Sequence, residues 1–137
     1  AGQVVTLTGT NFAATLAAFC DRVRERSGLE IVLEVRAPER LGLSREREMW
    51  RICQEAITNA ERHAAAGRIC VRWVCDGRRA LLEVSDDGRG FDVQEVARSD
   101  AYGLVGMRER ADAIGAALTV TSAPGGGTTV RCLLEAR

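Results

Sequence analysis

The stretch RICVRWVCDGRRALLEVSDDGRGFD (Arg68–Asp92) decides the fold. Over Arg68–Asp76, Ile69, Val71 and Trp73 fall on one side of an extended chain and Arg68 and Arg72 on the other. That period of two is the period of a β-strand. Asp76-Gly77 is a tight-turn pair, and Ala80–Ser85 supplies a second strand, so the two form a hairpin. One apolar face and one wet face mark an antiparallel sheet covered by helices on its buried side. The pattern breaks at Asp86-Asp87-Gly88-Arg89-Gly90. There the glycines read either as a strand-end turn or as a place where a ligand meets the backbone.

Upstream, Val4–Thr8 is a short β-like run. Gly-Thr-Asn (9–11) offers caps for an amphipathic helix over Phe12–Arg26, with Phe12, Leu16, Phe19 and Val23 at helical spacing and Gly28 beyond its end. Leu29–Val35 alternates as a strand, and Ala37–Gly42 reads as a loop. Ser44 is placed to cap a longer helix, Arg45–Ala65, ended by Gly67. Downstream, a helix over Leu104–Ile114 stops at Gly115, and a last hairpin joins Ala117–Ser122 to Thr128–Glu135 through APGGG. Asp92–Tyr102 is polar and without a regular pattern. The expected architecture is one α+β domain over residues 1–137. It is a two-layer sandwich, its mixed and mostly antiparallel sheet covered on one face by about three helices.

On the long helix, Met49, Ile52, Cys53, Ala56, Ala60 and Ala64 form the core stripe. Glu55, Asn59 and Arg62 fall within an arc of about 60° beside it, with His63 between arc and core. Asparagine inside a helix is locally unfavourable. The trio reads either as a solvated face of i,i+3 and i,i+4 pairs or as a magnesium and phosphate site. Carboxylate and amide oxygens suit Mg²⁺, and a guanidinium complements phosphate. Three glycine groups follow: Gly88 and Gly90, Gly103 and Gly106, and Gly125–Gly127. Each alone reads as a turn, a helix start or a hairpin loop. As ligand elements, Asp86 can accept from an exocyclic amine, and a helix start offers free N–H groups to an anion. Their order, polar helix first, is more specific than any one of them.

Composition removes several classes of function. All 19 basic residues are arginine, which excludes a Walker A loop, a strand lysine of the eukaryotic kinase type and Schiff-base chemistry. Formal net charge is zero, whereas nucleic-acid and anionic-membrane surfaces need excess positive charge. Five cysteines without a C-x-x-C, and a single histidine, do not support a zinc site. Cys20, Cys53, Cys70, Cys75 and Cys132 are expected to be buried, reduced hydrophobes, as in a cytosolic protein. No apolar run approaches the roughly 20 residues of a membrane span, and the start is no signal peptide. Beginning at Ala1, the chain reads as a piece of something longer.

With these segments in order, the chain resembles the ATP-binding catalytic domain of bacterial sensor histidine kinases, in the gyrase/Hsp90/histidine-kinase/MutL superfamily with its Bergerat-type fold. QEAITNAERHA (Gln54–Ala64) resembles the N-box, DDGRGFD the G1 box, GLVGMRERA (Gly103–Ala111) the G2 box and GGGTTV (Gly125–Val130) the G3 box. The wording is similar to the subfamily paired with helix-turn-helix response regulators. The resemblance implies ATP and Mg²⁺ as cofactors. It makes Asn59 the metal ligand, Glu55 the holder of a metal-bound water, and Arg62 the basic residue facing the phosphates. It gives Asp86 the adenine amine, with Gly88 and Gly90 at the base and Gly103 and Gly106 flanking the phosphates. Leu104 and Met107 join the nucleotide-binding set, Thr128 completes the base pocket, and His63 takes a structural or phosphate-side position. Asp87, at the variable position, is expected to be solvated. The segment between G1 and G2 is a short ATP lid, and there is no F-box.

The resemblance further implies a histidine acceptor on a separate dimerisation domain, and indirectly a response regulator, with a cytoplasmic location and no direct nucleic-acid or membrane contact. His63 lies inside the N-box and is not read as the acceptor. An anti-sigma-factor-type serine kinase of the same superfamily, or an interaction module without nucleotide, are the alternatives.

Overall fold

The computed structural model describes residues 11–63, 65–100 and 102–135. The strand expected at Val4–Thr8 and the core position given to Ala64 lie outside them. Helix α1 (Phe12–Ser27) is capped by Asn11, whose Oδ1 accepts from the Ala14 N–H at 2.7 Å, and ends at Gly28 with φ +72°. Strand β1 (Glu30–Glu39) runs through Ala37–Glu39, where the sequence suggested a loop. Among the described residues it is the edge strand beside β2 (Arg68–Asp76), and a register shift between Arg36 and Glu39 accommodates Pro38, which lacks a ladder N–H.

Helix α2 (Leu43–His63) starts one residue before Ser44, so Ser44 is not its cap. The Gly42 carbonyl accepts from the Arg45 and Glu46 N–H groups instead. Glu46 is buried and takes a forked ion pair from Arg40 at 2.5 and 3.2 Å, which ties the incoming loop to the first turn. Just past the helix, Ala65 rather than Gly67 is left-handed, at φ +50°. Strand β3 (Arg79–Asp86) follows a turn in which the Asp76 carboxylate accepts from the Arg78 and Arg79 N–H groups. Helix α3 (Val93–Ser99), absent from the sequence reading, is capped by Asp92 through the Gln94 and Glu95 N–H groups. Helix α4 (Leu104–Ala113), β4 (Ala117–Ser122) and β5 (Thr128–Glu135) complete the chain.

The sheet order is β1-β2-β3-β5-β4, parallel between β1 and β2 and antiparallel elsewhere. Helices α1, α2 and α4 cover one face, and α3 lies in the connection between β3 and α4. The core is knitted by Phe12, which stacks on Trp73 of β2 at 4.1 Å and meets Trp50 of α2 edge-on at 5.8 Å. The open face carries cross-strand ion pairs, Glu30–Arg68, Glu34–Arg72 and Glu83–Arg131.

That division corrects one expectation about the cysteines. Cys20, Cys53, Cys75 and Cys132 are buried, but Cys70 is half-buried on the open face beside Arg68 and Arg72. Burial pushes the Cys20 and Cys132 thiols up to about 11, and Cys53 well above its ordinary value. A thiolate is the reactive form. Ellman's reagent at neutral pH is therefore expected to titrate one thiol in the folded protein and five after denaturation. Cys70→Ser should remove the native reaction, and a second fast thiol would contradict the packing.

Candidate functional site

Helices α2 and α4 run antiparallel, and three contacts fix their register. The Asn59 amide donates to the Tyr102 carbonyl at 2.6 Å. Glu55 packs so close to Gly103 that a Cβ there would stand 2.7 Å from Glu55 Oε1. Arg110 pairs with Glu48 at 3.6 Å. Because a carbonyl can only accept, the Asn59 contact fixes its Nδ2 toward Tyr102 and leaves Oδ1 free as a ligand.

Two cavities adjoin this seam. The inner one lies between α2 and the ends of β3 and β5, lined by Asn59, His63, Asp86, Phe91, Tyr102 and Thr128 among others. The outer one is a polar cleft of about 470 Å³ between α2 and α4, lined by Arg51, Glu55, Asp100, Gly103, Gly106 and Arg110 among others. The inner cavity is closed to about 20 Å³, room for one water and not for a purine. Tyr102 closes it: its ring stacks on Phe91 at 4.4 Å and meets His63 edge-on at 4.6 Å.

Asp86 sits at the floor, on the last residue of β3. Its carboxylate accepts from the Gly88 N–H at 2.8 Å, and the nearby Thr128 backbone also favours its charged form. Burial raises its pKa above the ordinary carboxylate value, and those donors offset the rise only in part. Asp87 is exposed, as expected, but it is also tied to the backbone. Its Oδ1 accepts from the Gly67 and Arg68 N–H groups at 2.9 and 3.0 Å, so it stitches the Gly88 turn to the start of β2. Those bonds hold its carboxyl below the usual range.

The turn after β3 and the β4–β5 loop are joined by their backbones. Gly125 N–H donates to the Arg89 carbonyl at 2.5 Å. Ser122 Oγ accepts from the Phe91 N–H at 2.9 Å, donates to the Gly127 carbonyl at 3.0 Å and meets Thr128 Oγ1 at 2.8 Å. Ser122 was invisible in the sequence, where it is an ordinary strand-end serine.

Asn59, His63, Asp86, Gly90, Leu104 and Thr128 thus meet around the inner cavity, and Glu55, Gly103, Gly106 and Met107 around the polar cleft. Gly88 is buried behind Asp86. Arg62 is exposed and lines neither space. Phe91, Tyr102, Arg51 and Arg110 join the set that the sequence reading omitted. For the first two, the available signal was the rarity of aromatic residues, each beside a glycine motif.

The profile of the family described as histidine kinase-, DNA gyrase B-, and HSP90-like ATPase matches residues 44–137. The chain belongs to this ATPase family. This ATPase domain is 32% identical over 126 residues to the sensor histidine kinase LiaS of Bacillus subtilis, covering 92% of this chain and 34% of that protein. It is 40% identical over 85 residues to the sensor protein VraS of Staphylococcus aureus, covering 62% of this chain and 24% of that protein. The chain therefore spans about a third or less of the curated relatives it matches. Among solved structures, the blue-light activated histidine kinase of Erythrobacter litoralis EL346 aligns with a TM-score of 0.72 at 26% identity. That alignment covers 91% of this chain and 42% of the kinase chain. The resemblance to histidine-kinase ATPase domains and the α+β sandwich with its mixed sheet are both borne out. No helix among the described residues is long and apolar enough to cross a membrane.

Proposed function

We propose that this ATPase domain binds ATP with Mg²⁺ and presents the γ-phosphoryl group to a histidine on a separate dimerisation domain, which passes it to a response regulator. The observation that carries the reading is the partly buried Asp86 carboxylate at the floor of the inner cavity, one seam away from a polar cleft bordered by the glycine-bearing start of α4. An ionised carboxylate held by backbone donors has lone pairs left for an exocyclic amine. Tyr102 lines the closed cavity, so nucleotide entry moves that ring outward, while the Asn59 amide can keep its bond to the Tyr102 backbone carbonyl.

Among the described residues no group of three or more His, Cys, Asp or Glu side chains could cage a metal. The donor set fits a magnesium ion carried on the phosphates: Asn59 Oδ1 would hold it, Glu55 would orient a water bound to it, and the ion would supply neutralisation of phosphate charge. The chain's own residues hold the base at Asp86, exclude water with Phe91 and Tyr102, and direct the phosphates along α4, which is positioning catalysis. The acceptor histidine accords with the relatives' names as histidine kinases; the response-regulator partner and the cytoplasmic setting rest on the motif resemblance and belong to this proposal.

Thermal denaturation tests it. Mg²⁺·ATP at a hundredfold excess over its Kd is expected to raise the melting temperature by roughly 10 °C. Mg²⁺·GTP, which presents a carbonyl where adenine has its amine, should raise it far less. Equal shifts would remove Asp86 from base recognition, and no shift with either would remove the nucleotide reading.

A further inference from the structure

The polar cleft has a direction. The Asn59–Tyr102 contact marks its inner end, where it adjoins the Asp86 cavity. The Arg110–Glu48 pair lies toward the other end of the antiparallel helices. Along α2 the residues facing the cleft are Thr58, Glu55, Gln54 and Arg51, and along α4 they are Gly103, Gly106, Met107 and Arg110. Arg51 lies eight residues before Asn59, about 12 Å along the helix axis.

The α4 wall is bare where it matters. Gly103 must be glycine, since it is left-handed and its Cβ would run into Glu55. Gly106 has no such excuse: a Cβ there would meet nothing within 4 Å, and its backbone is helical. A glycine inside a helix costs about 1 kcal/mol against alanine, so the open backbone at Gly106 is a feature the fold alone does not require. A chain of phosphates can lie against that backbone, one turn short of Arg110.

The charges in the cleft are Glu55 and Asp100 toward the inner end and Arg51 and Arg110 toward the outer. Asp100 is engaged, accepting from the Val105 N–H at 3.0 Å. Arg110 has only its long contact with Glu48, and Arg51 makes no hydrogen bond or ion pair among the described residues. With no lysine in the chain, cations for a terminal phosphate must be guanidinium groups.

We propose that Arg51 and Arg110 together clamp the terminal phosphate at the outer end of the cleft and make the site discriminate nucleoside triphosphate from diphosphate. The proposal rests on the nucleotide reading above, and assigns to these two residues the role that the family resemblance implied for Arg62. A diphosphate ends short of the pair; a triphosphate reaches it and gains charge-assisted hydrogen bonds to both forks.

Calorimetric titration of the chain with Mg²⁺·ATP and Mg²⁺·ADP tests this, using Arg51→Gln, Arg110→Gln, the double variant, and Arg78→Gln at the β2–β3 turn as a matched charge change far from the cleft. Each cleft substitution is expected to weaken ATP about tenfold while ADP changes less than about twofold. The double variant should bind both nucleotides about equally, and Arg78→Gln should alter neither. Parallel loss of ATP and ADP, or an ATP affinity untouched in the double variant, overturns the clamp. A parent chain that binds neither nucleotide overturns the nucleotide reading itself, and the clamp with it.

Discussion

Gly127→Ala is expected to destabilise the domain by roughly 3 kcal/mol or more, a large part of the 5–15 kcal/mol that holds a typical domain together. Two costs add. At φ +71° the residue is left-handed, which charges an alanine about 1–2 kcal/mol. The new Cβ would also overlap the Asp86 carbonyl oxygen, a backbone atom in a strand that cannot give way, and overpacking adds about 1–3 kcal/mol. Gly90→Ala has the same character, since at φ +64° its Cβ would overlap the Ala123 carbonyl oxygen. Gly28→Ala is the control. It is left-handed at φ +72° but has nothing within 4 Å of a Cβ, so it should cost about 1–2 kcal/mol. Urea unfolding of the three variants separates the effects, and a Gly127→Ala cost no larger than that of Gly28→Ala would falsify the steric account.

These glycines also show how far sequence reasoning reaches. The hairpin β2–β3 and the final hairpin were legible because each alternates with period two and is bounded by turn residues, so local pattern and tertiary burial agree. The motif glycines were legible as a group, but their physical reasons were not. The close approach at Gly90 and Gly127 is that of the chain's own loops, held by Gly125 N–H and Ser122. Gly106 and Gly125 have nothing within 4 Å of a Cβ, and of these two Gly106 is the one that lines the polar cleft. Helix α3 escaped because it has seven residues and no apolar stripe, and depends on its Asp92 cap. The parallel edge strand was under-read at Pro38, since a register shift between two distant strands leaves no local mark. Arg51 and Arg110 lie 59 positions apart, and only the antiparallel packing of α2 and α4 places them on one cleft.

Asp86→Asn is expected to weaken ATP binding on the order of a hundredfold, the effect of removing a hydrogen bond to a charged acceptor and leaving a donor facing a donor. The geometry leaves the asparagine no good choice. The carboxylate already takes the Gly88 N–H at one oxygen, which leaves the other for the base. An amide has one oxygen, so its NH₂ group must face either the Gly88 N–H or the adenine amine. The same burial gives a pH signature. Burial raises the pKa of Asp86, so the folded state holds that proton more tightly than the unfolded chain. The ionised carboxylate therefore costs the ligand-free fold stability at neutral pH, and that cost fades as pH falls through the raised value. Without nucleotide the amide oxygen can keep the Gly88 bond, and losing the charge relieves that cost, so the variant's melting temperature without nucleotide should not fall. ATP affinity of the parent should instead decline on acidification from a pH above that of an ordinary aspartate, because protonation removes an acceptor. Titrations across pH check both halves. An Asp86→Asn variant that binds ATP as tightly as the parent, or a parent whose affinity is flat down to the ordinary carboxylate range, would take the base off Asp86 and leave the inner cavity a packed aromatic core.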